Sequence, residues 1–314
     1  MPLRIVFCGT PEFAVPSLRH LLAQPDFQIV GVVTQPDRPR GRTLAISSSP
    51  VKEAAVAADV PVYQPEKIKS DEAFEFFKKA ASDAVVIIAY GQIIPQRLIE
   101  TPRLGWINLH GSLLPKYRGA APIHRAILNG EHRTGLTTMN IDAGLDTGPM
   151  LLKFETEIDR DETAPELYAR LSEAGSPLVA ETLRGLDSGT ITSRPQDNSQ
   201  ASLAPPLKKE EGRIDWSLSA QQIYNRIRGL QPWPGAFSLF RGKNCAIWGR
   251  PLLMPSAAVG LPGEILKAEG NVLVSCGGET ALRLEFVQLE GRKRVTALEF
   301  ANGARLAPSD RFGN

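Results

Sequence analysis

The stretch INLHGSLLPKYRGAAPIHRAILNG, residues 107–130, begins as an apolar strand and yet carries an amide at Asn108 and an imidazole at His110. It breaks at once into Gly111, Ser112 and Pro115. A strand made only to fill a core needs neither polar group. Successive side chains of a strand alternate between faces, so residues two apart emerge together. Asn108 and His110 therefore stand side by side where this strand ends, and the fold depends on which sheet the strand joins.

Three more apolar runs precede it: RIVFCGT (residues 4–10), QIVGVVT (28–34) and AVVIIAY (84–90). Helical stretches such as VKEAAVAA and DEAFEFFKKAA lie between them, and Pro11 follows Gly9 where a first helical turn tolerates a missing N–H. Near-continuous apolar strands alternating with helices mark a sheet covered on both faces. The expected fold class is α/β, with a Rossmann-like, mostly parallel sheet domain. In open sheets of this kind ligands bind beyond the carboxyl ends of the strands, which is where Asn108 and His110 lie. Further on, GLTTMNID and MLLKFETEI read as strands flanking the loop DAGLDTG, and APELYARLSEAGSPLVAETLRGL reads as a helix interrupted near residues 175–177.

The composition then changes. SGTITSRPQDNSQASLAPP, residues 188–206, is poor in large apolar residues and rich in Pro and Ser, which is a linker composition. Beyond it SAQQIYNRIRGL reads as a helix, followed by the short strands AFSLF, NCAIWG, GEILKA, NVLVSC and TALRLEFVQLEG with Gly and Pro between them. A small β-barrel, OB-like, is the expectation. The organisation reads as a domain over residues 1–188, a linker over 189–206 and a barrel over 207–314. Net charge is only +2, but residues 1–206 carry 21 basic and 24 acidic side chains, while residues 207–314 carry 15 and 10. The basic excess of the last third suits either a solvated surface or a polyanion-facing module.

Several function classes are disfavoured. The first turn, CGTPEF, has one glycine where a dinucleotide fold carries GxGxxG. GxxxxGK[ST] is missing, and GSLLP lacks the GxSxG spacing of a nucleophile elbow. Cys8, Cys245 and Cys276 stand far apart and the four histidines form no HxxxH pair, so neither a disulfide framework nor a metal site is expected. With no 20-residue apolar run and no signal-peptide pattern at the start, a cytoplasmic protein without a membrane partner is expected.

Asn108 and His110 alone fit a strand-end amide and a satisfied histidine. The loop DAGLDTG, residues 142–148, shifts the balance. It sets Asp146 on a tight turn within reach of the imidazole, while Asp142 suits a turn or capping role. A carboxylate beside an imidazole favours the imidazolium, and the amide N–H₂ supplies a second donor aimed at the same point. Such a trio stabilises an oxyanion and moves a proton during attack on a carbonyl.

GTPEFAVPSL, TQPDRPRGR, SPVK, INLHGSLLPKYRGAAPI, GLDTG, IDWSLSA and PWPGAF follow one another in an order that resembles the methionyl-tRNA formyltransferase family, nearly end to end. HGSLLP with a downstream DTG is shared by the wider group that uses 10-formyltetrahydrofolate; the SLLPKYRGAAPI context and a C-terminal domain opening at IDWS are more specific. The resemblance implies that Asn108, His110 and Asp146 are catalytic and that Ser112, Leu113, Leu114 and Pro115 contact the folate. It also implies transfer of formyl from 10-formyltetrahydrofolate to the α-amine of initiator methionyl-tRNA, with no metal. In the family the loop after TQPDRP often carries consecutive lysines near the tRNA acceptor stem; here Arg38, Arg40 and Arg42 stand instead, in a segment that also suits a solvated loop. They remain candidate phosphate contacts, since guanidinium pairs well with phosphate oxygens. Lys208, Lys209 and the run Arg292, Lys293, Arg294 are the candidates in the basic third, and a monomer is expected. Two alternatives stay open: a formyltransferase acting on a small amine, such as an amino sugar or a glycinamide nucleotide, and a catalytically silent RNA-binding homologue.

Overall fold

The computed structural model describes residues 1–40, 45–252, 260–268, 270–307 and 310–313. By contacts the chain divides into two units: residues 1–122, 133–157 and 167–205 form the first, and 123–132, 158–166 and 206–314 the second.

The first unit is built on strands β1 (Leu3–Gly9), β2 (Phe27–Val33), β5 (Val62–Tyr63), β6 (Ala84–Ile88), β7 (Trp106–His110), β8 (Arg133–Asn140) and β9 (Met150–Glu157). A separate short hairpin joins β3 (Arg38–Arg40) to β4 (Ala45–Ser47). The sheet order is β5-β2-β1-β6-β7-β8-β9. Neighbours from β5 to β7 run parallel, and β8 and β9 are antiparallel additions at the far edge. The four apolar runs of the sequence thus form its parallel centre, and every residue of β6 is buried. Progression reverses at β1, which pairs with both β2 and β6, so the crevice beyond the carboxyl ends of the central strands is a topological switch point. Strand β7 lies one step from it. Asn108 pairs with Ile87 of β6 and Met139 of β8, and His110 pairs with Thr137.

Helices α1 (Val15–Leu22), α2 (Pro50–Ala57), α3 (Asp71–Ala80) and α4 (Gln96–Ile99) connect the parallel strands. Ser49 and Ser70 cap α2 and α3 by accepting from Lys52 N and Ala73 N, which satisfies amides left open at a helix start. α5 (Pro122–Leu128) follows the β7 loop. The break expected near residues 175–177 is not there: α6 runs unbroken over Ala164–Asp187 with Pro177 inside it. Gly175 has another use. A Cβ at this position would stand 2.5 Å from Leu109 Cδ2, so the glycine lets α6 lie close against β7 rather than ending the helix. A buried hydroxyl pair, Thr138 Oγ1 and Thr182 Oγ1 at 2.8 Å, fastens the same helix to β8.

Residues 189–205 run along the first unit. Arg194 bridges Met150, Tyr117 N donates to Ser202 Oγ, and Arg118 exchanges backbone bonds with Ser202 and Ala204.

The second unit has α7 (Ala220–Gly229) and a six-stranded antiparallel sheet. Its strands are β10 (Phe237–Phe240), β11 (Lys243–Pro251), β12 (Ile265–Ala268), β13 (Asn271–Cys276), β14 (Thr280–Leu289) and β15 (Val295–Thr296), with α8 (Ala297–Gly303) following. The order β10-β11-β14-β13-β12 curls into a half-barrel whose two edges are bridged by one segment, Phe312 to Phe240 and Arg311 to Glu264. Trp216, Phe240, Phe300 and Phe312 meet in its interior, and Trp216 Nε1 donates to Ser238 Oγ at 2.9 Å. Segments from far upstream complete this unit: Arg125 of α5 pairs with Glu211, and Tyr224 Oη donates to Asp161 Oδ1 at 2.7 Å.

Candidate active site

At the carboxyl end of β7 the burial pattern leaves Asn108 half-buried between buried neighbours and His110 only 6% exposed. The loop between β8 and β9 brings the third group. Asp142 folds this loop by accepting from Gly144 N at 3.0 Å and from Thr147 Oγ1 at 2.8 Å, the Asx-type turn its position suggests. Gly148 follows where a Cβ would lie 1.8 Å from Asn140 O; only glycine passes here. Asp146 adopts φ 51°, a left-handed conformation that asparagine and aspartate tolerate better than most residues.

The three side chains come together. His110 Nδ1 lies 3.6 Å from Asp146 Oδ2, and Asn108 Nδ2 donates to Asp146 Oδ1 at 3.4 Å. Gly119 N also donates to Asp146 Oδ2, at 2.9 Å. On its other edge His110 Nε2 stands 2.9 Å from the Tyr117 carbonyl oxygen. A carbonyl oxygen only accepts, so Nε2 carries a proton and Nδ1 is the edge turned to the carboxylate. An amide donor and an imidazole edge thus converge on one carboxylate, a cluster within which a proton can be passed.

Of the loop residues, Ser112 and Leu114 are fully buried and turned inward, while Leu113 and Pro115 are half-exposed. Ser112 Oγ donates to Lys116 O at 2.6 Å. Thr137 Oγ1 donates to Ser112 O and accepts from Leu114 N, and Lys153 Nζ donates to Leu114 O at 2.6 Å. Burial lowers the Lys153 pKa below the ordinary lysine value. This loop is therefore braced by its backbone from β8 and β9.

The basic candidates are dispersed. Arg38 lies 3.6 Å from Glu66 with both side chains exposed. Arg40 is on β3, and Arg42 falls outside the described residues. In the second unit Lys208, Lys209, Arg292, Lys293 and Arg294 are exposed. Arg294 lies over the rings of Trp248 and Phe286, 4.3 and 4.1 Å from their centroids. Among the described residues no group of three or more His, Cys, Asp or Glu is placed to hold a metal ion, and no helix is long and apolar enough to cross a membrane.

Sequence reasoning missed Tyr117 and Gly119. Both act through backbone atoms, so their side-chain types carry no chemical signal. A structural signal exists in the KYRG run: Tyr117 has φ 63° and Gly119 φ 119°, and a Cβ on Gly119 would lie 2.9 Å from Ala204 O.

With this geometry in hand, similarity to known proteins is extensive. The formyl transferase family profile matches residues 3–183, and the formyl transferase C-terminal domain profile matches residues 206–305. A methionyl-tRNA formyltransferase of Solibacter usitatus is 54% identical over 99% of this chain and 99% of its own length. That of Geobacter sulfurreducens is 46% identical over 99% of this chain and 97% of its own. Among solved structures, the N-formyltransferase from Helicobacter canadensis in complex with folinic acid and dTDP-3-aminofucose superposes with a TM-score of 0.66 at 19% identity, covering 90% of this chain and 99% of that one. Glycinamide ribonucleotide transformylase 1 from Symbiobacterium toebii gives 0.52 at 20% identity over 62% of this chain and 95% of its own. At these identities the two structures speak for the fold alone.

Proposed function

This chain belongs to the formyl transferase family, and within it to the methionyl-tRNA formyltransferases, from which we infer that it transfers the formyl group of 10-formyltetrahydrofolate to the α-amine of initiator methionyl-tRNA. The products are N-formylmethionyl-tRNA, used to initiate translation, and tetrahydrofolate. The observation that carries the assignment of the site is the convergence of Asn108 Nδ2 and His110 Nδ1 on the Asp146 carboxylate beyond β7.

The free amine nitrogen attacks the formyl carbon and forms the new C–N bond, and the carbonyl electron pair moves onto oxygen. The second N–H of Asn108, the one not given to Asp146, stabilises that oxyanion, and the imidazolium of His110 adds positive charge beside it. Asp146 orients His110 and helps carry the amine proton, by way of water, to the departing folate nitrogen as its bond to carbon breaks. Removing one oxyanion donor typically costs about 100- to 1000-fold in turnover, the contribution assigned to Asn108 and to His110. The 112–115 loop contacts the folate, with Leu113 and Pro115 offering side chains while the buried Ser112 and Leu114 hold the loop in place.

Chemistry belongs to the first unit. Residues 207–314 of the second unit, with their basic excess, supply affinity for the tRNA body through phosphate contacts at Lys208, Lys209, Arg292, Lys293 and Arg294, and Arg38, Arg40 and Arg42 are further contacts in the first. These substrates place the work in the cytoplasm. The test is formyl transfer from 10-formyltetrahydrofolate offered methionyl-tRNA, a dTDP-amino sugar and glycinamide ribonucleotide as separate acceptors. Turnover with methionyl-tRNA far above the two small amines is expected; equal or faster transfer to either small amine overturns the assignment.

A further inference from the structure

We propose that Gln196 is a positioning residue for Asp146, acting from the Pro- and Ser-rich stretch whose composition suggests only a linker. Its carboxamide is fully engaged. Nε2 donates to Asp146 O and to Gly148 O, each at 2.8 Å. Oε1 accepts from Arg118 Nε at 3.0 Å and from Arg118 Nη2 at 2.8 Å. The partners fix the orientation of the amide, because a flipped group would turn its N–H₂ on the guanidinium and its oxygen on two carbonyls.

What the carboxamide joins gives it a role. Arg118 is 8% exposed, and its guanidinium also donates to Asn198 Oδ1 at 2.8 Å. It stands between Tyr117, whose carbonyl accepts a hydrogen bond from His110 Nε2, and Gly119, whose N–H donates to Asp146 Oδ2. The segment 117–119 therefore grips the histidine on one side and the carboxylate on the other. Gln196 ties that segment to the 146–148 turn, where Asp146 is kept in its left-handed conformation. The separation of His110 and Asp146 is set by this tie. Two carboxamides accept from Arg118 Nε and Nη2, while the Asp146 carboxylate accepts from Asn108 and Gly119 and faces His110.

The proposal rests on the catalytic role assigned to Asp146 above, and its test separates the two. Full-length wild type, Gln196→Glu, Gln196→Ala, Asp146→Asn and the double variant Asp146→Asn/Gln196→Glu are compared for kcat, for KM of both substrates, for the pH profile of kcat and for thermal midpoint. Gln196→Glu keeps the size and the bonds to Arg118 but turns oxygen on the Asp146 and Gly148 carbonyls. Displacement of a catalytic group by about 1 Å costs on the order of 100-fold. A loss of about 10- to 100-fold in kcat is therefore expected, with both KM values within about threefold and the pH profile displaced in the same direction as whatever Asp146→Asn shows. In the Asp146→Asn background the same change should cost less than about twofold, since residues acting as a unit are not additive. Should Gln196→Glu fail to fold, Gln196→Ala, which removes the tie without opposing oxygens, is read in the same cycle. A slow Asp146→Asn beside Gln196 variants of normal kcat overturns this proposal alone, as does a full multiplicative loss in the double variant. Normal kcat in Asp146→Asn overturns the role of Asp146 and this proposal with it.

Discussion

The end of β7 and the interior of the half-barrel both draw side chains away from water, and for opposite reasons. In the half-barrel Trp216, Phe240, Phe300 and Phe312 fill space, and the polar exception, the Trp216 indole N–H, is satisfied by Ser238. At the end of β7 an amide, an imidazole and a carboxylate are enclosed, and each is directed at another. Burying polar groups is costly unless they are hydrogen-bonded, so a cluster of this kind persists where chemistry uses it. Loss of a donor at the end of β7 should therefore be read in turnover, and loss of a ring inside the half-barrel in stability.

The largest effect expected is on stability in the second unit. Phe312 is 1% exposed, packs on three aromatic rings and links both sheet edges. Phe312→Ala should lower its unfolding free energy by about 3–5 kcal/mol, the usual cost of emptying a core phenylalanine site, as read by denaturant titration. A loss under about 1 kcal/mol would show that the segment bridging the edges is not part of the core.

Asn108→Ala and His110→Ala come next. Each should reduce kcat by about 100- to 1000-fold, equivalent to about 3–4 kcal/mol, with KM values and thermal midpoint little changed. Near-normal turnover at saturation would remove that residue from the site and erase half of the contrast.

A smaller effect is expected from the exposed basic run. Replacing Arg292, Lys293 and Arg294 together with Ala should raise KM for methionyl-tRNA by about tenfold and flatten its salt dependence, at a log–log slope of roughly 0.7–0.9 per lost phosphate contact. The KM for the folate should stay put. Equal salt slopes for wild type and variant would move the search for phosphate contacts to Arg38, Arg40 and Arg42.

The smallest effect concerns an ion pair of the second unit. The hydrogen-bonded Arg125 guanidinium holds the Glu211 carboxyl below its ordinary value of 4.5. A carboxyl whose folded pKa is depressed contributes stability that is present above the unfolded value and lost as pH falls through the folded one. Arg125→Met should therefore cost about 1–2 kcal/mol near pH 7, and the gap to wild type should close as the pH is lowered below 4.5. A gap independent of pH would assign the loss to packing of the arginine stem.

Much of this molecule was legible because apolar runs and their spacing report strands directly. β1, β2, β6 and β7 lie within two residues of where RIVFCGT, QIVGVVT, AVVIIAY and INLHG put them. The alternation of faces likewise placed Asn108 beside His110, and DAGLDTG carried Asp146. Local sequence misled where a local signal served a distant partner. Gly175 looked like a helix breaker and is a contact surface for Leu109. The union of residues 123–132 and 158–166 with the second unit depends on pairs such as Arg125 with Glu211, 86 residues apart, and Asp161 with Tyr224, 63 apart. Tyr117 and Gly119 enter the site through a carbonyl and an N–H that every residue type but proline supplies. Gln196, set among Pro, Asp and Asn, carries no mark that distinguishes it from its solvated neighbours.

The contrast between a site that does chemistry and a surface that supplies affinity is tested most directly by single-turnover formyl transfer with methionyl-tRNA and 10-formyltetrahydrofolate both saturating. His110→Ala and the Arg292, Lys293, Arg294 triple variant are measured beside wild type. The account predicts a rate constant about 100- to 1000-fold below wild type for His110→Ala and a wild-type rate constant for the triple variant once the tRNA saturates. A triple variant that stays slow at saturation, or a His110→Ala enzyme restored to the wild-type rate there, would contradict it.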